Sequence, residues 1–275
     1  MPNYIAIEKK IENSKSYALL QMAHTDDLIR SYCARYWYEC AVLLKDDHAL
    51  QVRIEIAKNW YDLAKQLVTD EADNVRVEVV AKWYDLAQKL TNDSSEEVRA
   101  KIAAKWFELA KELIKDQSTY VQSTCVASWY ELAVKTLDHN QSIDISVKVA
   151  CVSSWHDLAI RVIDEGETDV SVINVCIRKW HDIAARYIDS PIVSHRFMAA
   201  KCWHDLAEQL LHDPESFVRA YCAEWYDFAV NLFNDTSTKV RQECAANWYD
   251  LAIQLLDDKD SQVKKIAKMT VKKNK

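Results

Sequence analysis

Apolar and small residues recur along this chain with a period of about 23 residues, most clearly around its tryptophans. Counted from each tryptophan, they fill positions −8, −4, −3, 0, +1, +3, +4, +7 and +8. At about 100° per residue these positions form one helical stripe that covers roughly half of the circumference. Because a stripe of this width needs more than one neighbour to cover it, the pattern predicts helices stacked in two layers.

Tryptophan occupies the same position in every copy of the repeat. The steps between successive tryptophans are 23, 23, 23, 23, 26, 25, 23, 22 and 23 residues. A fixed period of this size is typical of solenoids, in which each unit contacts mainly its neighbours. The sequence therefore predicts an all-α fold, an α-solenoid of about ten Trp-centred helical repeats with capping helices. The tryptophans are Trp37, Trp60, Trp83, Trp106, Trp129, Trp155, Trp180, Trp203, Trp225 and Trp248.

The regular part of the pattern sets the expected domain organisation. Residues 26–258 hold the repeats, residues 1–25 form an imperfect N-terminal cap, and residues 259–275 form a C-terminal cap with a lysine-rich tail. A solenoid grows in one direction and need not split as it lengthens. We therefore predict a single α-solenoid domain over residues 1–275.

Two local structures are compatible with the repeat. In one, each repeat is a single helix of about 17–19 residues followed by a turn of about five. In the other, the chain bends at the tryptophan and a second short helix begins there. An acid two residues after every tryptophan favours the bend, because carboxylates stabilise helix N-termini. The helical part of the repeat lacks Gly and Pro, which favours the straight helix, and we predict the straight helix.

Two short motifs resemble known helical repeats. The run Val-Arg-Ile-Glu-Ile-Ala-Lys-Asn at residues 52–59 resembles the leucine-rich variant repeats. An Asp followed six residues later by Arg at the start of a helix, as in Asp93 and Arg99, is similar to HEAT repeats. The resemblance covers residues 26–267, although a HEAT unit is longer than this repeat. It implies a stack of helical repeats with a ladder of Asp–Arg pairs between units.

The charge distribution limits the classes of partner. Residues 264–275 carry six lysines and no acid, whereas residues 1–263 carry 42 acidic and 29 basic side chains. We expect no nucleic-acid partner, because such affinity comes largely from Lys and Arg on phosphates. The lysine tail is interpreted as a solvated helix end. We expect no membrane span and no signal peptide, since no apolar run approaches the required length of about 18 residues.

The cysteines follow the repeat rather than a disulfide pattern. The −4 position, filled elsewhere by Ile, Val, Ala or Tyr, holds five of the eight cysteines. We interpret them as small buried hydrophobes, and the absence of a Cys-x-x-Cys pair argues against a zinc or redox motif. This usage predicts a reducing compartment, the cytoplasm. The five are Cys33, Cys125, Cys151, Cys176 and Cys244.

The candidate binding residues lie directly after the tryptophans. The +2 position is acidic in every copy, and its acids outside three middle repeats are Glu39, Asp62, Asp85, Glu108, Glu131, Asp227 and Asp250. In those middle repeats His replaces Tyr or Phe at +1, which gives the predicted partner-binding residues His156, Asp157, His181, Asp182, His204 and Asp205. Histidine titrates near pH 6.5, so we expect a contact that responds to about pH 6–7. The alternative is that each His is a half-buried substitute for Tyr.

Residue types with catalytic or metal-binding chemistry are present without a supporting motif. His204, Glu208 and His212 follow a spacing of four on one predicted helix, but the set lacks a fourth ligand, so we expect no metal site. A single Gly excludes glycine-rich phosphate loops, and nucleophile-elbow and metalloprotease motifs are absent. We expect no catalytic residues and no cofactor. The tryptophans are interpreted as core residues rather than as a platform for bases or peptides.

These observations favour a binding protein over an enzyme. We predict a non-catalytic scaffold for protein–protein interaction that presents an acidic concave or edge surface to a protein or basic peptide. If the +2 acids instead cap helices, the variable positions +5 and +6 are the better binding surface. One alternative is a nucleic-acid-processing protein resembling the HEAT-like alkylpurine DNA glycosylases, which use Trp and Asp on a basic face that this chain lacks. Another is a structural, self-assembling repeat array.

Overall fold

The computed structural model describes residues 3–139 and 143–274. In these two stretches the secondary structure consists of 23 α-helices and two 3-10 helices, without a β-strand. The helices pack in sequence order, which confirms an all-α helical repeat. By its contacts the chain divides into two compact units, residues 1–150 and 151–275. The prediction of one continuous domain stays a prediction.

Each repeat contains two helices, so the predicted straight helix is wrong. An A helix ends at the tryptophan and a B helix begins directly after it, as in Glu96–Lys105, Trp106 and Phe107–Leu113. The bend is a single residue in extended conformation, with φ −126° and ψ 101° at Trp106. Any L-residue adopts such backbone angles, so the bend requires neither Gly nor Pro.

One helix supplies an internal comparison for this bend. In Ser261–Lys273 the repeat pattern places Val271 where the tryptophan stands in other repeats. That helix continues through Val271 to Lys273 without a break. The bend therefore accompanies the tryptophan rather than the spacing of the A helix.

The first unit begins with two helices, Tyr4–Asn13 and Lys15–Gln21. Its A helices are Asp27–Tyr36, Leu50–Asn59, Asp73–Lys82, Glu96–Lys105 and Thr119–Ser128, and the A helix Ile145–Ser154 spans the division between the units. Its B helices are Tyr38–Leu43, Tyr61–Ala64 with the 3-10 helix Leu67–Thr69, Tyr84–Lys89, Phe107–Leu113 and Tyr130–His139.

The second unit repeats the same alternation. Its A helices are Val170–Lys179, Val193–Cys202, Ser216–Cys222 and Thr238–Asn247. Its B helices are His156–Asp164, His181–Ala185, His204–Gln209, Tyr226–Leu232 and Tyr249–Gln254 with the 3-10 helix Leu255–Asp257. The helix Ser261–Lys273 follows.

Within each unit the helices pack mainly on their neighbours in the repeat. Successive A helices pack side by side, and B helices pack against the A helix of their own repeat, as Phe107–Leu113 does against Glu96–Lys105. The buried residues come from recurring positions, for example Val98 at −8, Ile102 at −4 and Ala110 at +4, all with 0% exposure. The small alanine lets helices approach closely, which explains why +4 is alanine in every copy.

The tryptophans lie at the margin of the core, which corrects their interpretation as its largest buried residues. Each is only partly buried, and the largest fully buried side chains are Ile and Leu. The indole N–H of Trp106 donates to the carbonyl of Val80, 2.7 Å away in the last turn of the preceding A helix. Carbonyls at helix ends lack intrahelical donors, so each indole completes the helix before it. The same bond recurs at Trp37, Trp60, Trp83, Trp129, Trp180, Trp203, Trp225 and Trp248.

An arginine ladder connects successive repeats, with a register different from the one expected. Arg99 Nη1 donates to the backbone carbonyl of Asp93, 2.7 Å away, whereas Nε and Nη2 donate to the Asp116 carboxylate at 2.7 and 3.0 Å. The charge partner is therefore 17 residues later, not six residues earlier. Arg99 lowers the pKa of Asp116. The arrangement recurs at Arg30, Arg53, Arg76, Arg196, Arg219 and Arg241.

The cysteines are free thiols, and seven of the eight are buried. Burial raises the pKa of Cys125 to about 12, which keeps its thiol protonated and unreactive at neutral pH. They pack as the small hydrophobes that their position in the repeat predicts. None of the helices in the described parts of the chain is long and apolar enough to cross a membrane.

Candidate functional site

The +2 acids occupy the first turn of the B helices. In each described repeat the acid is the second residue of its B helix, as Asp205 is in His204–Gln209. The amides of a first turn lack intrahelical acceptors, and the helix dipole there favours a negative charge. This explains why an acid recurs in every copy, and it bears out the sequence signal that favoured the bend.

The +1 rings pack on the tryptophan of the following repeat. Tyr61 lies edge-on to Trp83 with ring centroids 5.3 Å apart, and His181 lies edge-on to Trp203 at 5.2 Å. Histidine therefore takes the same place against the indole as tyrosine does. The contact keeps each ring fixed on the surface while leaving part of it exposed.

In five repeats the polar atom of the +1 ring contacts the acid of the following repeat. The Tyr61 hydroxyl donates to Asp85, and the Tyr226 hydroxyl donates to Asp250. We call this alternation of +1 rings and +2 acids the ring–acid column. In the second unit its paired members are His156 with Asp182, His181 with Asp205, His204 with Asp227, and Tyr226 with Asp250.

The three histidines make the same contact through Nε2. His181 Nε2 lies 2.7 Å from Asp205 Oδ2, and His204 Nε2 lies 2.8 Å from Asp227 Oδ2. A carboxylate only accepts, so Nε2 carries the hydrogen and donates it. In the neutral imidazole this leaves Nδ1 as an acceptor on a half-exposed ring. The histidines thus substitute for tyrosine in packing, and they add an Nδ1 acceptor that tyrosine lacks.

The structure pairs each histidine with the next repeat's aspartate, not with the one beside it in sequence. His156 Nε2 lies 2.8 Å from Asp182 Oδ1, and the same step relates the other pairs. Asp157 is exposed in the first turn of His156–Asp164. The six predicted residues therefore lie along one column of successive repeats, with Asp227 added at its end.

The histidines affect the acids that they contact. The hydrogen bond from His181 is the main cause that lowers the pKa of Asp205. Partial burial opposes ionisation of Asp182, but the hydrogen bond and charge of His156 outweigh it and lower the Asp182 pKa. Both acids are therefore negative at neutral pH, with side chains 56–60% exposed.

In the first unit, lysines neutralise most acids of the column. Glu39 pairs with Lys15, Asp62 with Lys65, Glu108 with Lys111 and Glu131 with Lys135. Lys65 also lies over the Tyr61 ring, 4.8 Å from its centroid, and Lys111 lies over Phe107 at 5.3 Å. Three of these lysines lie three or four residues after their acid, a spacing visible in the sequence that predicts the pairing.

Four acids of the second unit lack this compensation. Asp182, Asp205, Asp227 and Asp250 accept hydrogen bonds from His or Tyr, and within residues 151–274 no Lys or Arg forms an ion pair with them. The position that holds Lys65 in the first unit holds Val230 after Trp225. The acids in this part of the column therefore keep their negative charge, although Phe228 stacks on one face of the His204 ring, with centroids 4.5 Å apart.

The spacing of His204, Glu208 and His212 does not produce a cluster on one helix. The B helix ends at Gln209, so His212 lies beyond it, and His204 Nε2 is bound to Asp227. Residues spaced four apart lie together only where one helix carries all of them, and here the helix ends before His212. In the parts of the chain that the structure describes, no group of three or more His, Cys, Asp or Glu side chains could hold a metal ion.

Comparison with known proteins yields only distant structural likenesses. No protein-family model and no curated protein matches the chain. The chain is similar to a leucine-rich repeat variant with a repetitive structural motif, at 18% identity and a TM-score of 0.41, over 82% of this chain and 88% of the other. It is also similar to an engineered protein, at 17% identity and a TM-score of 0.18, over 96% and 95%. Because both TM-scores are below 0.5, the helices of the chain itself, and not these similarities, show that it is a helical repeat protein.

Proposed function

We propose that this chain is a non-catalytic scaffold for protein–protein interaction, and that the ring–acid column of its second unit binds a basic segment of a partner. The observation that carries the proposal is the run of exposed, negatively charged acids without lysine partners, from Asp182 to Asp250. The proposal includes two further statements: that the chain has ten Trp-centred units, and that its binding surface is acidic. The free cysteines support a reducing, cytoplasmic setting.

The first unit indicates which ligand such a column accepts. There, the lysines of the chain itself pair with the +2 acids and cover the +1 rings, as Lys65 does with Asp62 and Tyr61. Ammonium groups are attracted both to carboxylates and to the faces of aromatic rings. Where the chain supplies no lysine, as around Tyr226 and Asp250, a partner's Lys or Arg can take the equivalent place.

The histidines add a second feature suited to a basic partner. Each presents its Nδ1 acceptor beside a carboxylate, as at His181 and Asp205. Arginine and lysine are donor-rich and accept nothing, so they complement this pattern. Repeats that only stack have no need of histidine at +1, and a local departure in successive repeats is typical of a functional region.

The test uses a fluorescein-labelled oligolysine peptide and its fluorescence anisotropy with the full chain. We expect binding, and we expect an Asp205→Asn, Asp227→Asn, Asp250→Asn variant to lose about tenfold in affinity, because three exposed charges each contribute modestly. The matched control is Asp62→Asn, Glu108→Gln, Glu131→Gln, which removes acids already paired with lysines. Its affinity should stay close to that of the parent.

Two results would contradict the proposal. The first is equal loss of affinity in both triple variants, which would mean that net charge alone attracts the peptide. The second is the absence of peptide binding together with tight binding of a labelled DNA oligonucleotide in the same assay. That result would favour the nucleic-acid alternative, whose affinity should fall steeply with added salt.

A further inference from the structure

A cavity of about 750 Å³ lies in the first unit, beside the B helix Tyr130–His139. Small-molecule sites in proteins are about 300–1,000 Å³ in volume. Its apolar wall is formed by Ile114, Leu132, Ile143 and Val147, and Lys111, Lys115 and Lys135 stand at its edge. The cavity is separate from the ring–acid column of the second unit.

One substitution in the repeat explains why the cavity is open. Position +7 is a buried leucine in six repeats, with exposures of 3–8%, and it closes the space between the B helix and its neighbours. In the repeat of Trp129 this position is Thr136, which is smaller and lines the cavity. The six leucines are Leu44, Leu67, Leu113, Leu210, Leu232 and Leu255.

Two further departures occur at the same place. The B helix Tyr130–His139 has ten residues, whereas the other B helices of this unit have four to seven. Gln122 replaces the ladder arginine and keeps only its bond to the carbonyl of Asp116, 2.6 Å away. A neutral amide shorter than guanidinium thus borders the cavity, so that two lining positions, Gln122 and Thr136, hold smaller side chains than the other repeats do.

The lining determines the chemistry of a ligand. Lys111 and Lys135 are paired with Glu108 and Glu131, but in residues 3–139 and 143–274 no carboxylate forms an ion pair with Lys115. The carboxylate at the edge, Asp144, accepts from the backbone N–H of Ser146 at 2.8 Å. An apolar wall beside an unpaired ammonium is complementary to an anion with an apolar body.

We infer that this cavity binds a small amphiphilic anion, with a hydrocarbon body against Ile114, Leu132 and Val147 and a carboxylate at Lys115. The ligand class is that of short- or medium-chain carboxylic acids and compounds of similar shape. The inference is independent of the proposed scaffold function, because its residues belong to the first unit and take no part in peptide binding there.

The experiment titrates the full, isotope-labelled chain with octanoate and with 1-octanol, and follows backbone amide shifts by NMR. We expect shifts confined to residues around the cavity, including Leu132 and Val147, and about threefold tighter binding of octanoate because of the ammonium at its edge. Lys115→Glu should abolish that preference. Lys89→Glu, an exposed lysine of the same unit outside the cavity, should leave it unchanged.

Thr136→Leu restores the residue of the other repeats and should weaken binding of both compounds at least about fivefold, while raising Tm by roughly 2–4 °C as the space is filled. Absence of shifts at the cavity residues with either compound would overturn the site. Equal affinity for octanoate and octanol would overturn the anionic part of the ligand. Unchanged binding by Thr136→Leu would show that the repeat departure does not create the site.

Discussion

The ring–acid column has the same backbone geometry in both units but a different charge state. In the first unit Lys65 and Lys111 pair with the acids of their own helices and cover the rings. In the second unit His181 and His204 contact acids of the following repeat, and lysine is absent from the equivalent positions. The comparison separates what the repeat needs in order to stack from what it presents to a partner.

Stacking requires only that each ring lies on an indole and that each acid occupies a helix start. Tyrosine and histidine meet the first requirement equally, with centroid distances of 5.3 Å at Tyr61 and 5.2 Å at His181. Lysine is therefore not needed for the fold. In the first unit, lysines of the chain itself pair with the acids of the ring–acid column. The second unit leaves the same groups available, which is why we place the partner contact there.

The largest expected effect is on stability, and it tests the tryptophan packing that the two units share. Trp106→Ala and Trp203→Ala should each reduce the free energy of unfolding by about 3–5 kcal/mol, because each removes an aromatic side chain packed at the core margin and the donor to a helix-end carbonyl. Trp→Phe at the same positions should cost about 1–2 kcal/mol, mainly through the lost N–H. Denaturant unfolding measures both. A large effect at Trp106 and none at Trp203 would mean that the two units do not share one architecture.

The next effect concerns the arginine ladder. Arg99→Gln copies the natural arrangement at Gln122 and leaves the Asp116 carboxylate, only 7% exposed, without its partner, at a cost of about 3 kcal/mol at neutral pH. Because Arg99 lowers the pKa of Asp116, the pair stabilises the fold above the ordinary aspartate pKa of about 3.9 and ceases to do so as the pH falls below it.

Unfolding curves of parent and variant at several pH values check this sign. The difference in stability should shrink as the pH approaches about 3 and should be constant above about pH 5. A difference that stays the same from about pH 7 to about pH 3 would mean that the guanidinium acts through its bond to the Asp93 carbonyl rather than through its charge pair with Asp116.

The smallest expected effect sharpens the difference between the units. His156→Tyr, His181→Tyr, His204→Tyr restores the residue of the other repeats and should leave Tm within about 2 °C, since tyrosine makes the same two contacts. Oligolysine affinity should fall about fivefold through loss of the Nδ1 acceptors.

Thermal unfolding measures the stability of the variant, and an anisotropy titration measures its affinity for oligolysine. If the triple variant binds as well as the parent, the three histidines are only tolerated substitutes for tyrosine. The binding surface would then lie elsewhere on the chain.

The helical repeat and its buried positions could be predicted from the sequence, whereas the bend could not. Burial follows directly from apolar position, as at Val98 and Ala110. The straight helix was wrong because a bend was equated with Gly or Pro, whereas Trp106 turns the chain with ordinary extended angles. The +2 acid carried the correct signal, because the first turn of a helix favours a carboxylate.

The candidate site was predicted as residue types and not as contacts. The histidines and acids were identified by column, but their partners belong to the following repeat, as His181 with Asp205 shows. Pairing between repeats depends on how helices stack, which a single period does not specify. Thr136, in contrast, could have been found by comparing the +7 residues, since it alone breaks a column of leucine and other bulky side chains there.

The indole hydrogen bond sets an order in which the repeats are completed during synthesis. The last carbonyls of an A helix such as Asp73–Lys82 obtain their donor from Trp106, which the ribosome adds 26 residues after Val80. During synthesis each A helix therefore stays incomplete until the next repeat has emerged, and folding advances one repeat behind elongation. A stalled or truncated chain would always expose one unfinished helix end at its growing side, while every earlier repeat is already complete.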